Sequence, residues 1–301
     1  MGDCEVYLNY DDRVRSVLPD LSIRQLEYLV AVADARTWAI AASRVGVSPS
    51  ALSQGLAELE KRLGIPLFER VGRRRTLRDD ASPVLDHARQ VTALTGDLAR
   101  WADRRRNAEL GDVRLGMIDV AAVHHYPEIL RRFRNTHPDV ALRLRVEPSG
   151  PLLDGLIGGD LDLVVCVEPP EPPAGVDIEV LAIEELAIYR PEGTPAGAPE
   201  SWGPWVLFPT ESHSRTVIAD ALRHKGATVE VIAESHQPDV LREMVELGLG
   251  WTVLPVVQAG GDGRGLTRGR ILTTRRLVVA VRSGSVLDPA VGALKDALFA
   301  A

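Results

Sequence analysis

The 301-residue chain contains two cysteines, Cys4 and Cys166, far apart in sequence. Such a pair supplies neither a disulfide framework nor a cysteine-based metal spacing, and it suits a reducing cytoplasm. No run of about 18 apolar residues occurs, so no membrane-spanning helix is expected and no membrane partner is predicted. The first 20 residues carry five acids and two arginines with no apolar stretch of signal length, which predicts a chain that is not exported. Enzyme signatures are equally scarce. There is no P-loop, no Gly-x-Ser-x-Gly elbow and no His-Glu-x-x-His, and the GGDGRG run at 260–265 is not followed by the helix that a dinucleotide cradle needs. His213, His236 and the His124-His125 pair belong to no converging ligand set, so neither a metal nor a cofactor is expected.

What is present is a globular composition, 45% hydrophobic and 26% charged, over a length that implies two or three domains. The net charge of −7 is unevenly spread. Residues 21–80 hold ten basic and seven acidic residues, and Lys61 to Arg78 alone holds seven bases and one acid. Residues 111–301 hold 18 bases and 26 acids. A small basic unit joined to a large acidic one predicts one part that binds a polyanion and one that stays clear of it.

In residues 22–35, Ser22 is a candidate N-cap, and Leu26, Leu29, Val30 and Ala33 recur at helical spacing. Trp38 to Arg44 reads as a short helix ended by Val45-Gly46-Val47. Ser48 as N-cap and Pro49 at the first helical position open a third helix that stops at Gly64, with Ala51, Leu52, Leu56 and Leu59 toward the core. Helix, tight turn, helix leaves Ser48, Pro49, Ser50, Ser53 and Gln54 on an exposed first turn that can enter a major groove, Gln54 being suited to adenine. Beyond Pro66, the basic run Arg73-Arg74-Arg75, with Arg70 before it, reads as a wing. Such a run can also be a solvated loop, but its position after a helix-turn-helix favours contact with phosphate or the minor groove.

The run from Gln25 to Leu77, QLEYLVAVADARTWAIAASRVGVSPSALSQGLAELEKRLGIPLFERVGRRRTL, resembles the winged helix-turn-helix of LysR-type transcriptional regulators. The matching parts are Ala41-Ala42, the Ser-Pro-Ser-Ala start of the third helix, Leu59-Glu60, and Pro66-Leu67-Phe68-Glu69-Arg70. Two departures stand out. Gln54 occupies a place where the family often has Arg, and Arg78-Asp79-Asp80-Ala81 replaces the usual Thr-x-Ala-Gly after the wing.

From Ala81 to about Arg106, Ala81, Val84, Ala88, Val91, Thr95, Leu98 and Ala102 form a seam with Leu85, Leu94 and Trp101 beside it. Burying such a stripe takes either a second chain or the C-terminal domain. Palindromic DNA reading favours the second chain, and the resemblance likewise implies a dimerising linker helix. From Val113 onward, strands and helices alternate as βαβαβ up to Val167, break at the Pro-rich 168–177, and resume as a second series. The return of Leu277 to Val281 and of the helix Pro289 to Phe299 to the first series predicts two lobes with two crossovers.

The expected fold is therefore α/β overall: an N-terminal tail (1–20), a winged helix-turn-helix (21–80), a long linker helix (81–110) and an effector-binding domain (111–301). In that domain lobe I takes about 111–168 and 265–301, and lobe II about 169–264. The resemblance implies that this domain is periplasmic-binding-protein-like and two-lobed. Ligands of such sheets sit beyond strand carboxyl ends and at helix N-termini. That rule picks out Asp119, Val120, Cys166, Glu168, Thr210, Ser212, His213, Ser214 and His236 as effector-binding candidates. The first of these loops commonly carries Ser or Thr in the family, whereas here it offers Asp119-Val120-Ala121. The substitution favours an effector with an amino group or several hydroxyls over a bare acid.

The function expected is that of a cytoplasmic, homodimeric or homotetrameric regulator of transcription. Its partners would be double-stranded DNA with an inverted repeat, a small-molecule effector of unknown identity and, as a further candidate, RNA polymerase. It would carry no catalytic residues. A solute-binding protein of the same bilobed fold is the competing reading, followed by an enzyme.

Overall fold

The computed structural model describes residues 20–71, 74–107, 111–258, 265–285 and 288–300. They fall into two compact units divided between Val91 and Thr92.

In the first unit, α1 (Ile23–Ala33) is opened by Ser22, which forms a reciprocal capping box with Gln25. Next come α2 (Trp38–Arg44), capped by Thr37, and α3 (Pro49–Leu63), capped by Ser48 and closed by Gly64 at φ 71°. Leu26, Leu29, Ala41, Ala42, Leu52, Leu56 and Leu59 share one buried core. Ala33, expected inside, is exposed in the last turn of α1, while Tyr28 and Ala31 are buried instead. The Tyr28 ring lies against Gly55 of α3, where a Cβ would meet it at 2.7 Å, so only glycine fits at that crossing. Strands β1 (Phe68–Val71) and β2 (Arg74–Leu77) pair antiparallel as the wing.

Helix α4 (Ser82–Asn107) starts in the first unit and ends in the second. Its seam is only partly free. Ala81, Leu85 and Ala88 enter the first core, and Ala93 and Asp97 are buried in the second unit, whereas Leu98 and Trp101 keep 52% and 38% of their surface exposed.

The second unit is built on a six-stranded sheet ordered β4-β3-β5-β10-β6-β9. Strands β3 (Asp112–Met117), β4 (Ala141–Val146) and β5 (Leu163–Val167) run parallel, connected through α5 (Pro127–Thr136) and α6 (Ser149–Ile157). A π-helical turn, Ala121–His125, precedes α5, which therefore begins two residues later than the sequence suggests. The largest departure is in β6 (Val176–Pro191) and β10 (Leu266–Arg282), 16 and 17 residues long, which pair antiparallel along nearly their whole length. At roughly 3.3 Å per residue such strands cross both lobes.

The remaining elements are β7 (Trp205–Leu207), α7 (His213–His224), β8 (Val231–Glu234), α8 (Pro238–Glu246), β9 (Thr252–Pro255) and α9 (Pro289–Phe299). Two cores result. One gathers Val113 to Val167 with Val176, Leu277 to Val281 and α9, and the other gathers Leu186 to Leu254 with Leu272. Residues 176–182 thus pack with the first lobe and 266–272 with the second, because each long strand changes core midway.

Arg282, at the end of β10, is buried with Asp97 of α4, donating from Nε at 3.1 Å and from Nη2 at 2.7 Å. Its Nη1 donates to the carbonyls of Leu156 and Leu161, and Ser285 Oγ donates to Asp97 at 2.6 Å. Removing one member strands a buried charge, so Asp97→Ala should cost about 3–5 kcal/mol, whereas the double change Asp97→Leu with Arg282→Met should cost much less. Urea unfolding of the three proteins checks this; equal losses in the single and double variants would refute it.

Candidate functional site

Two places gather the residues singled out from sequence, one in each unit. In the first unit, Pro49 leads α3 and Ser48, Pro49, Ser50 and Gln54 are all exposed, with Ser53 half-buried. Ser48 Oγ accepts from Ala51 N at 3.2 Å and lies 2.9 Å from Ser50 Oγ, so this hydroxyl holds the helix start in shape. Gln54 reaches solvent one turn further on.

The wing is held by Glu60 of α3, noted from sequence only as part of the Leu59-Glu60 match. Glu60 Oε1 accepts from Leu67 N at 2.9 Å and Phe68 N at 3.1 Å, while Oε2 takes Arg75 Nη2 at 2.8 Å. Arg75 also lies over the rings of Trp38 and Phe68, 5.1 Å and 5.0 Å from their centroids. Its guanidinium therefore braces the wing against α2 and α3. Arg70 is exposed and has no ion pair among the described residues. Arg73 lies outside the described residues, and the Arg74 backbone pairs with Val71.

In the second unit a cavity of about 270 Å³ opens between the lobes. Four of the expected residues line it: Asp119, Ser212, Ser214 and His236. The others lie around it without lining it. Val120 and Cys166 are buried in the first core, Glu168 pairs with Arg276 at 3.2 Å, and Thr210 is exposed. His213 Nδ1 sits 3.1 Å from the Val167 carbonyl. Burial pushes the Cys166 thiol up to about 12, leaving it protonated at neutral pH.

The cavity wall adds Glu147, Ser149, Gln237, Gln258 and Arg275, none of which the sequence reading selected. Gln258 Nε2 donates to Asp119 Oδ2 at 2.7 Å, and Ser149 Oγ accepts from Val167 N at 3.2 Å. Arg275 is buried opposite Glu184 in the β10–β6 register, with Nε donating to Glu184 Oε2 at 2.6 Å and Nη1 donating to Ser214 Oγ. His125 Nε2 lies 2.8 Å from the other Glu184 oxygen. The signal for this cluster was a charged doublet in each strand, Glu184-Glu185 in β6 and Arg275-Arg276 in β10, but the partners lie 91 positions apart.

Two family models match this chain: "Bacterial regulatory helix-turn-helix protein, lysR family" over residues 23–81 and "LysR substrate binding domain" over residues 106–301. A probable hydrogen peroxide-inducible genes activator of Streptomyces viridosporus is 32% identical over 281 residues, covering 88% of this chain and 89% of that protein. The transcriptional activator IlvY of Salmonella typhimurium is 27% identical, covering 79% and 83%. Among solved structures, a full-length OxyR variant of Pseudomonas aeruginosa superposes with TM-score 0.62 at 23% identity, covering 92% and 97%. Full-length CbnR with its target DNA superposes with TM-score 0.57 at 20% identity, covering 92% and 99%. Reading head and bilobed domain together define a DNA-binding transcriptional regulator with an effector-binding domain. The chain belongs to the LysR family.

Burial raises the Glu184 carboxyl, but the hydrogen bond from His125 and the charge and hydrogen bond of Arg275 outweigh it and hold the group below its ordinary 4.5. A depressed carboxylate contributes stability that is complete above its unfolded value and is lost as pH falls through the folded one. Glu184→Gln should therefore melt lower than the parent at neutral pH and show a shallower decline on acidification below 4.5. Melting curves across that acid range decide it; parallel acid limbs would show that Glu184 contributes no linkage.

Proposed function

We propose that this regulator reads operator DNA as a homo-oligomer, with α3 in the major groove and the wing on the backbone, and that a small molecule in the interlobe cavity sets its activity. The observation that carries the DNA reading is the exposed first turn of α3 beside the unpaired Arg70 on a braced wing. A helix start of this kind offers exposed serine hydroxyls and a positive dipole to phosphate, while Gln54 can read a base edge. Exposed Leu98 and Trp101 on α4 supply apolar surface for a second copy, which would present two reading heads to an inverted repeat. RNA polymerase is a family-implied partner.

A role without catalysis fits the cavity. Its Ser214 hydroxyl accepts from Arg275, a contact that stabilises the wall, and it has no hydrogen bond to a base among the described residues. The cytoplasmic setting follows from the proposed work on operator DNA; no helix among the described residues is long and apolar enough to cross a membrane.

The arginines divide the work. Arg70→Ala should weaken binding to all duplexes and lower the salt slope by about one counterion. Arg75→Ala should also destabilise the wing, and Gln54→Ala should mainly relax base preference, by about 1–3 kcal/mol at its position. Anisotropy titrations on duplexes enriched from a random pool, run at several salt concentrations, measure all three. Unchanged affinity and slope in Arg70→Ala would remove the wing from the DNA contact.

One relative is named for hydrogen peroxide induction. We infer that Cys166 does not serve such a signal here, because thiol oxidation proceeds through the thiolate and burial keeps this one protonated. In a Cys4→Ser chain, Cys166 should resist Ellman's reagent in the native state and react fully once unfolded. Rapid native labelling would reverse that conclusion.

A further inference from the structure

The proposed effector cavity has a polar wall of a particular kind. Asp119 follows β3 and Glu147 follows β4, so the two carboxylates extend from the carboxyl ends of neighbouring parallel strands, whose last residues Met117 and Val146 are paired. Neither carboxylate has a cation partner among the described residues. The guanidinium in the wall cannot compensate them, since Arg275 is buried and committed to Glu184 and Ser214. Gln258 gives its amide nitrogen to Asp119, and its Oε1 is left buried with no hydrogen-bond partner. This corner thus presents two carboxylates without a cation and an unpartnered amide oxygen, and calls for a cationic N–H donor.

Beside it the demand is reversed. Helices α6, α7 and α8 all begin at the cavity, and none has a side-chain cap on its first N–H groups. Ser149, buried at the start of α6, accepts from Val167 N and has a hydroxyl proton with no acceptor among the described residues. Uncapped helix starts and a spare hydroxyl donor favour an anion. A bare carboxylic acid would meet Asp119 and Glu147, and a bare amine would leave the helix starts unmatched. The wall also has apolar Ile118, Val146, Val167 and Phe208, and the cavity volume is below that of a drug-sized site.

We propose that the cavity binds an amino acid with an apolar side chain, its ammonium against Asp119, Glu147 and Gln258 Oε1 and its carboxylate at the start of α6. The proposal rests on the reading of this cavity as the effector site.

The test uses the full chain. Melting temperature is recorded with each of the twenty standard amino acids at millimolar concentration, and the strongest apolar binder is titrated by calorimetry beside its deaminated acid and its decarboxylated amine. For leucine these are 4-methylpentanoate and 3-methylbutylamine. The expected result is a melting shift with at least one apolar amino acid, and an affinity loss of about tenfold or more when either charged group is removed. Glu147→Gln and Asp119→Asn should each lower affinity for the amino acid more than for the deaminated acid. The proposal is overturned if no amino acid shifts the melt, if the acid or the amine alone binds as tightly as the amino acid, or if both variants keep parental affinity. Duplex binding by the ligand-free chain is measured separately; its loss would sink the regulator reading while leaving the ligand class decided by the titrations.

Discussion

The Glu184–Arg275 pair is the constraint around which the bilobed domain is arranged. The two long strands pair directly at these residues, midway between the cores, and both side chains are nearly inaccessible to water. Two buried charges are tolerable only when their remaining hydrogen-bonding capacity is met, and here His125 from the first lobe and Ser214 from the second meet it. The network therefore ties together both lobes and both crossing strands at the cavity wall. It also occupies Arg275, the arginine of the wall, and so leaves the Asp119 and Glu147 carboxylates there without a guanidinium partner among the described residues.

A similar economy governs the reading head. Four arginines in and near the wing look interchangeable in a basic run, yet the structure gives those it describes different environments. Arg75 is drawn inward by Glu60 and two aromatic rings, while Arg70 faces solvent. A wing that touches a polyanion needs a rigid base, and one cation spent on Glu60 provides it with both Leu67 and Phe68 N–H groups anchored to the same carboxylate. The acidic surplus of residues 111–301 leaves the basic stretch as the part attracted to DNA.

Local signals were enough wherever a structure is decided locally. Helices α2, α3 and α9 run between the residues at which their caps and breakers place them, because Thr37, Ser48, Gly64 and Asp288 act within a few positions of the backbone groups they satisfy. The long strands were legible only in their apolar halves, near 182–189 and 277–281. Their outer ends alternate polar and apolar residues and are strands only because each has the other to pair with. The cavity was legible as loops at strand ends, which found Asp119, Ser212, Ser214 and His236. Arg275 and Gln258 were out of reach, since what makes them part of the wall is a partner 91 and 139 positions distant. The doublets Glu184-Glu185 and Arg275-Arg276 did contain a hint. Neighbours on a strand face opposite sides, so one member of each doublet had to point inward.

The same strand that carries Arg275 at the cavity carries Arg282 at its far end, about 23 Å along at 3.3 Å per residue. There it closes on Asp97 of α4, on the Leu156 carbonyl in the last turn of α6 and on the Leu161 carbonyl beyond it. Helix α6 in turn begins at Ser149 in the cavity wall. Two stiff elements thus connect the cavity with one buried ion pair on the linker helix, one by its register with β6 and the other by its own axis. The Asp97–Arg282 contact therefore joins α4 to the ends of β10 and α6, and its charge-assisted hydrogen bonds fix orientation as well as position.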